Sequence, residues 1–155
     1  MYTSQVSEMK ELVDAFKKYT ALSYIGKPEE DEINKALKLS KLDDKDYSQL
    51  PDAVLVLSNY LIYLKWEFSQ SVARVNLLRD NLNRGVLPLA SKLTKVFDAD
   101  ERRYQIIDSN EDFQKLNDLI NCEKIKLDML KPVMDAIEVK INVLKTLLER
   151  KKNVS

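Results

Sequence analysis

The feature that most constrains this chain is an apolar run at Phe113, Leu116, Ile120, Leu127, Leu130, Met134, Ile137, Ile141, Leu144 and Leu148. It keeps alternating spacings of three and four, broken only at Glu123. Seven residues make two turns of a helix, so such a repeat lays one continuous apolar stripe along a helix and requires another helix to cover it. A strand alternates faces every two residues and would scatter the same side chains to both sides. The run lasts about five heptads, and an all-α fold with a coiled-coil-like seam is the expectation.

An earlier run repeats the rhythm. Val54, Leu57, Leu61, Leu64, Phe68, Val75, Leu78 and Leu82 fall at consecutive a and d positions, with Ser71 as the polar interruption. Pro51 suits the first position of this helix, where its missing N–H costs nothing, and Gly85 and Pro88 should break it. Leu89, Leu93, Val96 and Phe97 suggest one or two further turns, followed by a loop near Asp98 to Asp108. Ser109-Asn110-Glu111-Asp112 resembles a capping box with Asp in the Glu position, and Ile107 is placed to staple onto Phe113 or a neighbour. Pro132 predicts a kink inside the second helix, because a proline removes one helical hydrogen bond and crowds the preceding turn.

Two seams in one chain either fold back on each other as an antiparallel hairpin or pair between chains, and sequence alone does not choose. Stripes of more than thirty residues each are hard for one small chain to cover, which favours self-association. On that expectation Leu57, Leu61, Leu64, Phe68, Leu127, Leu130, Met134, Ile137, Ile141 and Leu144 form the interface of a homo-oligomer. Ahead of the seams, Val6, Met9, Val13, Phe16 and Tyr19 predict an amphipathic helix over 4–20, ended by Gly26-Lys27-Pro28. Ile33, Leu37 and Leu39 mark a shorter helix, and the acidic Leu42 to Asp46 stretch reads as a turn. The expected layout is one domain, 1–155. It has an N-terminal helical region over 1–50, a first long helix and basic arm over 51–97, and a second long helix over 109–152.

Composition closes off most other classes. Two glycines in 155 residues are too few for a sandwich, barrel or doubly wound sheet. With no histidine and only Cys122, zinc sites, Cys/His nucleophile pairs and disulfide frameworks within the chain are excluded. Neither glycine belongs to a phosphate-cradling loop, and no carboxylates are marked by spacing as a general acid and base. The expectation is therefore not an enzyme, with no cofactor or metal. Charges scattered over residues 1–20 leave no signal-peptide core, and no apolar run reaches the roughly 18 residues of a membrane span. A cytoplasmic protein without a membrane role is expected.

The net charge is zero, 25 cations against 25 anions, but it is unevenly spread. From Phe68 to Phe97 there are Arg74, Arg79, Arg84, Lys92 and Lys95 against Asp80 alone, whereas Gly26 to Ala53 is acidic. Cations in such an excess track a phosphate backbone, and each neutralised phosphate makes affinity salt-dependent. They also suit a plain solvated helix face. Arg102-Arg103-Tyr104 combines guanidiniums with a ring on which a base can stack, although Asp98, Asp100 and Glu101 beside it equally suit an ion-pair cluster. Tyr60, Tyr63 and Trp66 lie off the seam, where contact with another subunit or a base is open to them, and packing is the favoured expectation. Lys140, Lys145, Arg150, Lys151 and Lys152 meet the negative end of the helix macrodipole. Glu123, on the seam, equally suits register-setting by pairing with a lysine across it or chance accommodation at a kinked region.

Taken in order, Glu32-Ile33-Asn34-Lys35-Ala36, Lys41-Leu42-Asp43, Leu50-Pro51, Leu57-Ser58-Asn59-Tyr60-Leu61 and Lys65-Trp66 resemble the UvsY-like recombination mediators of T-even and related phages. A second block follows: Ile107-Asp108, Glu111 to Leu116, Leu127-Asp128, Asp135-Ala136-Ile137 and the closing Lys145 to Lys152. The likeness covers roughly residues 30–152. The segment from Asn83-Arg84-Gly85 to Val96 is basic but poorer in aromatics than the family pattern, and Glu138-Val139-Lys140 stands where the family has an asparagine-arginine pair before a Tyr-x-Ile-Lys-like stretch. The resemblance implies a ring-like homo-oligomer that binds single-stranded DNA, displaces a single-strand-binding protein and loads a RecA-like recombinase, with no cofactor. Its DNA contacts would fall near Arg84, Lys92 and Lys95, with Arg79 on the same arm. The competing expectation is a helical scaffold or adaptor that docks partner helices and has no nucleic-acid role.

Overall fold

A computed structural model describes residues 26–39, 44–93 and 98–154. Four helices account for most of them: α1 (Glu30–Lys38), α2 (Asp44–Ala90), α3 (Ala99–Asp108) and α4 (Glu111–Val154), with no strand among the described residues. At 47 and 44 residues, α2 and α4 run about 70 and 66 Å at 1.5 Å per residue. The helix expected over 4–20 lies outside the described residues.

The two seams close on each other within one chain. The cross-helix pairs Lys65 with Glu138, Glu67 with Lys126 and Arg74 with Glu123 run in opposite directions along α2 and α4, so the hairpin is antiparallel. Leu57, Leu61, Leu64, Met134, Ile137, Ile141 and Leu144 are buried, and Phe68, Leu127 and Leu130 are half-buried, all on this intrachain seam. The ten side chains expected at a contact between chains are therefore spent on the core of one. An aspartate at Leu64 or Ile137 would open the hairpin itself.

The core has two apolar parts. Toward the open end, Leu57, Leu61 and Leu64 meet Ile137, Ile141 and Leu144, with Ile33 and Ala36 of α1 laid against them. Toward the closed end, Val75, Leu78, Leu82 and Val86 meet Phe113, Leu116 and Ile120, sealed by Ile106 of α3. Between them lies a polar layer at the two interruptions of the heptads. Ser71 is fully buried and accepts from the Arg74 guanidinium at 3.2 Å. Arg74 Nε stands 3.2 Å from Glu123 Oε1. That N–H does not point at the oxygen, so the contact is an ion pair without a hydrogen bond. Lys126 donates to Glu67 at 2.8 Å beside it. Glu123 does pair across the seam, with an arginine in place of the expected lysine.

This layer costs stability, because Gln70 Nε2, Arg74 Nε and Glu123 Oε2 are buried atoms without a hydrogen-bond partner. Arg74→Leu alone is expected to destabilise, since it strands the Glu123 carboxylate. Arg74→Leu with Glu123→Leu should recover that loss and add about 1 kcal/mol, the low end for a partly solvated pair. Urea denaturation of the two variants checks this, and a single variant as stable as the parent would show that the pair is energetically idle.

Several boundaries differ from the sequence reading. Residues Asp44 to Asp46, expected in a turn, already belong to α2, so Pro51 sits in its second turn instead of opening it. Carboxylates favour a helix N-terminus, and burial of Leu50 and Ala53 on either side of Pro51 holds that segment on the core. Gly85 and Pro88 do not break α2, which continues to Ala90. Val86 beside them is fully buried, and the Pro88 ring faces solvent, where the lost N–H strands only a carbonyl within reach of water. The loop expected over Asp98 to Asp108 is helix α3, capped by the Asp98 carboxylate accepting from Glu101 N–H at 2.7 Å. At α4 the cap is Asn110, whose Oδ1 accepts from the N–H groups of Asp112 and Phe113 at 3.0 and 3.3 Å, and not Ser109. Ile107 is half-buried against the cluster that holds Phe113, as a staple requires. Helix α4 is continuous through Pro132, which is exposed.

Candidate nucleic-acid interface

The described part of the basic arm is the distal part of α2 and the turn that follows it. Arg79, Arg84 and Lys92 are exposed and make no hydrogen bond or ion pair among the described residues; Arg79 and Arg84 point about 140° apart around the helix, and Asp80 lies one turn from Arg84. Arg79 and Arg84 stand about 7.5 Å apart along the α2 axis, and Lys92 lies in the turn beyond Ala90. Lys95 lies outside the described residues. Arg74, the other cation of the arm, is turned inward to Ser71 and Glu123.

Arg102 and Arg103 play a different part from the one their sequence suggests. Arg103 reaches back to α2 and donates to Asn83 Oδ1 at 2.6 Å, while Arg102 Nε donates to the Asp98 carbonyl at 3.3 Å. Arg103 thereby ties α3 to α2 at the corner of the hairpin, whereas the Arg102 contact stays within the first turn of α3. Tyr104 is 76% exposed, but helical spacing puts Asp100, Glu101 and Asp108 on its side of α3. The expected arginine and tyrosine unit is thus divided: Arg103 fastens the corner, Arg102 bonds within its own helix, and the ring stands on an acidic face. Nearby Lys115 is also engaged, pairing with Glu111 at 2.8 Å in the first turns of α4. Its hydrogen bond, then its charge, hold the fully exposed Glu111 carboxyl below the ordinary range.

Tyr60, Tyr63 and Trp66 form a ladder of rings along α2, with centroids 6.4 and 6.5 Å apart. All three are half-buried and serve packing. At the open end Lys151 Nζ lies 4.8 Å from the centre of the Tyr47 ring, a cation–π contact that ties the end of α4 to the start of α2. Among the described residues no group of His, Cys, Asp and Glu is placed to hold a metal ion, and no helix is long and apolar enough to cross a membrane.

One surface escaped the sequence reading. Cys122, Ile125, Met129, Pro132, Ala136, Val139, Val143 and Thr146 follow each other at spacings of three and four, two positions out of phase with the seam. Burial of the seam against α2 leaves this second stripe on the outer face of α4, with all eight residues exposed. Ile125, Met129 and Val139 keep 59%, 67% and 63% of their surface in water, far more than an apolar residue facing a core. The signal is present in the sequence, in the c and f positions of the same heptads, but the stronger a and d run masks it. Pro132 and Ala136 also line a groove of about 460 Å³ against α1.

The fold and these surfaces define an all-α helical hairpin protein. Comparison with protein-family models, with curated proteins and with solved structures gave no match.

Proposed function

We propose that this protein is a non-catalytic, homo-oligomeric single-stranded-DNA-binding protein that acts as a recombination mediator, placing a RecA-like recombinase on DNA in exchange for a single-strand-binding protein. The observation that carries the reading is Arg79, Arg84 and Lys92: three exposed cations with no partner among the described residues, opposed within the arm by Asp80 alone. Cations that stabilise a fold are drawn into pairs, as Arg74, Arg103 and Lys126 are here. The resemblance to phage mediators supplies the biological setting. Each patch is weak, and several copies of it on one oligomer would grip a strand through effective concentration.

Fluorescence anisotropy of a labelled single-stranded oligonucleotide at two salt concentrations tests this. Three phosphate contacts give a slope of log affinity on log salt of about −2 per engaged protomer. Arg79→Ala, Arg84→Ala and Lys92→Ala together should flatten that slope and leave the melting temperature unchanged. Absence of binding at low salt would remove the reading. The adaptor reading then takes its place, favoured by the exposed apolar stripe of α4, which nucleic-acid binding does not require.

A further inference from the structure

The stripe on the outer face of α4 carries no charge from Cys122 to Thr146, although charged residues occupy the same heptad positions just beyond it, at Lys115, Asp118 and Arg150. It is about 36 Å long at 1.5 Å per residue, and its three-four spacing is that of a coiled-coil seam. A contiguous exposed apolar strip of this length marks a surface that another helix covers. We propose that two copies of this chain pair through this stripe, with their α4 helices parallel and in register.

Charge at the rims selects the occupant and the direction. One rim carries Asp128, Asp135 and Glu149, and the other carries Lys126 and Lys140. In parallel pairing, the flanking residue of one helix meets the residue five positions further along the other. That sets Asp135 of each copy beside Lys140 of its mate, giving two symmetric ion pairs. Antiparallel pairing sets Asp135 against Asp135 of the second copy and Lys126 against Lys140, and like charges oppose it. Lys140 gives one of its three N–H donors to the Leu39 carbonyl at 2.6 Å, which leaves two for the partner carboxylate. The small side chain of Ala136 lets the helices approach closely at the middle of the stripe. The pairing deepens the oligomeric part of the function proposed above, and it is tested without DNA, so either can fail alone.

Cys122 provides the probe. Parallel register places the two exposed Cys122 thiols opposite each other across the two-fold axis, within the roughly 5.5–6 Å Cα separation that suits a disulfide. An antiparallel pair would place Cys122 opposite Thr146, with the two thiols at opposite ends of the seam. Sedimentation of the full chain across a micromolar concentration range should give a dimer or an even multiple of it. Diamide, which takes two electrons and two protons from a pair of thiols, should then convert it to a covalent dimer. Val139→Glu, at an exposed position, should keep the helical circular dichroism while abolishing both the association and the cross-link. A monomeric parent protein, an odd-numbered assembly, an assembly that survives Val139→Glu, or one whose Cys122 resists cross-linking would each overturn the proposal.

Discussion

Leu144→Ala is expected to remove about 3 kcal/mol of folding stability, the middle of the range for a fully buried leucine. Leu144 has no exposed surface and shares the open-end cluster with Leu57, which also has none. Truncation takes away the transfer free energy of the lost methylenes and leaves a cavity between two long helices. Neither can collapse locally without shifting its neighbours along the seam. A chain of this size has roughly 5–15 kcal/mol in hand, so the variant should still fold, with a lower urea midpoint and an unchanged denaturant slope. A loss below about 1 kcal/mol would mean that this side chain is not packed in a core at all.

Gly85→Val should destabilise by about 1–3 kcal/mol through overpacking, even though replacing a mid-helix glycine normally gains up to about 1 kcal/mol in helix propensity. A Cβ atom on Gly85 would stand 2.6 Å from Cε1 and 2.8 Å from Cζ of Phe113, and Phe113 is itself buried. The notch at Gly85 lets the first turn of α4 close onto α2 where the hairpin narrows to its corner. Phe113→Leu shortens the obstructing group, so in that background the same glycine replacement should cost clearly less. A double-mutant cycle followed by thermal unfolding measures that coupling, and strict additivity would show that the notch has no energetic role.

Gly85 also shows where sequence reasoning misleads. A glycine followed three residues later by proline ordinarily signals the end of a helix, because both weaken helical hydrogen bonding or order. Here the local cost is outweighed by burial of Val86 and by the seat Gly85 offers to Phe113. The partner that rewards the glycine lies 28 positions away, and no local window contains it. The same holds for α3: its first turn carries a cap and acidic residues that signal a helix, but its one buried side chain, Ile106, leaves almost no periodicity to detect.

The candidate interface was legible in part. The excess of cations between Phe68 and Phe97 is a sequence fact, and Arg79, Arg84 and Lys92 are all exposed. The inward turn of Arg74, the use of Arg103 to fasten the corner and the local bond of Arg102 were not legible. They depend on Ser71, Glu123, Asn83 and Asp98 arriving within hydrogen-bonding or ion-pairing distance. Charge can be counted along a chain, whereas whether a charge is already spent is a matter of distance.

By itself the sequence determined the all-α class, the two long helices and which of their faces are apolar, because a seven-residue rhythm specifies one face of a helix wherever that helix goes. The tertiary structure alone decided that the two seams cover each other inside one chain, that a polar layer divides the core, and that, among the described residues, the outer stripe of α4 stays exposed. A heptad stripe states only that some helix must cover it. Which one does so depends on the corner that α3 and Gly85 permit, since that corner sets whether the chain can return on itself with its two seams facing.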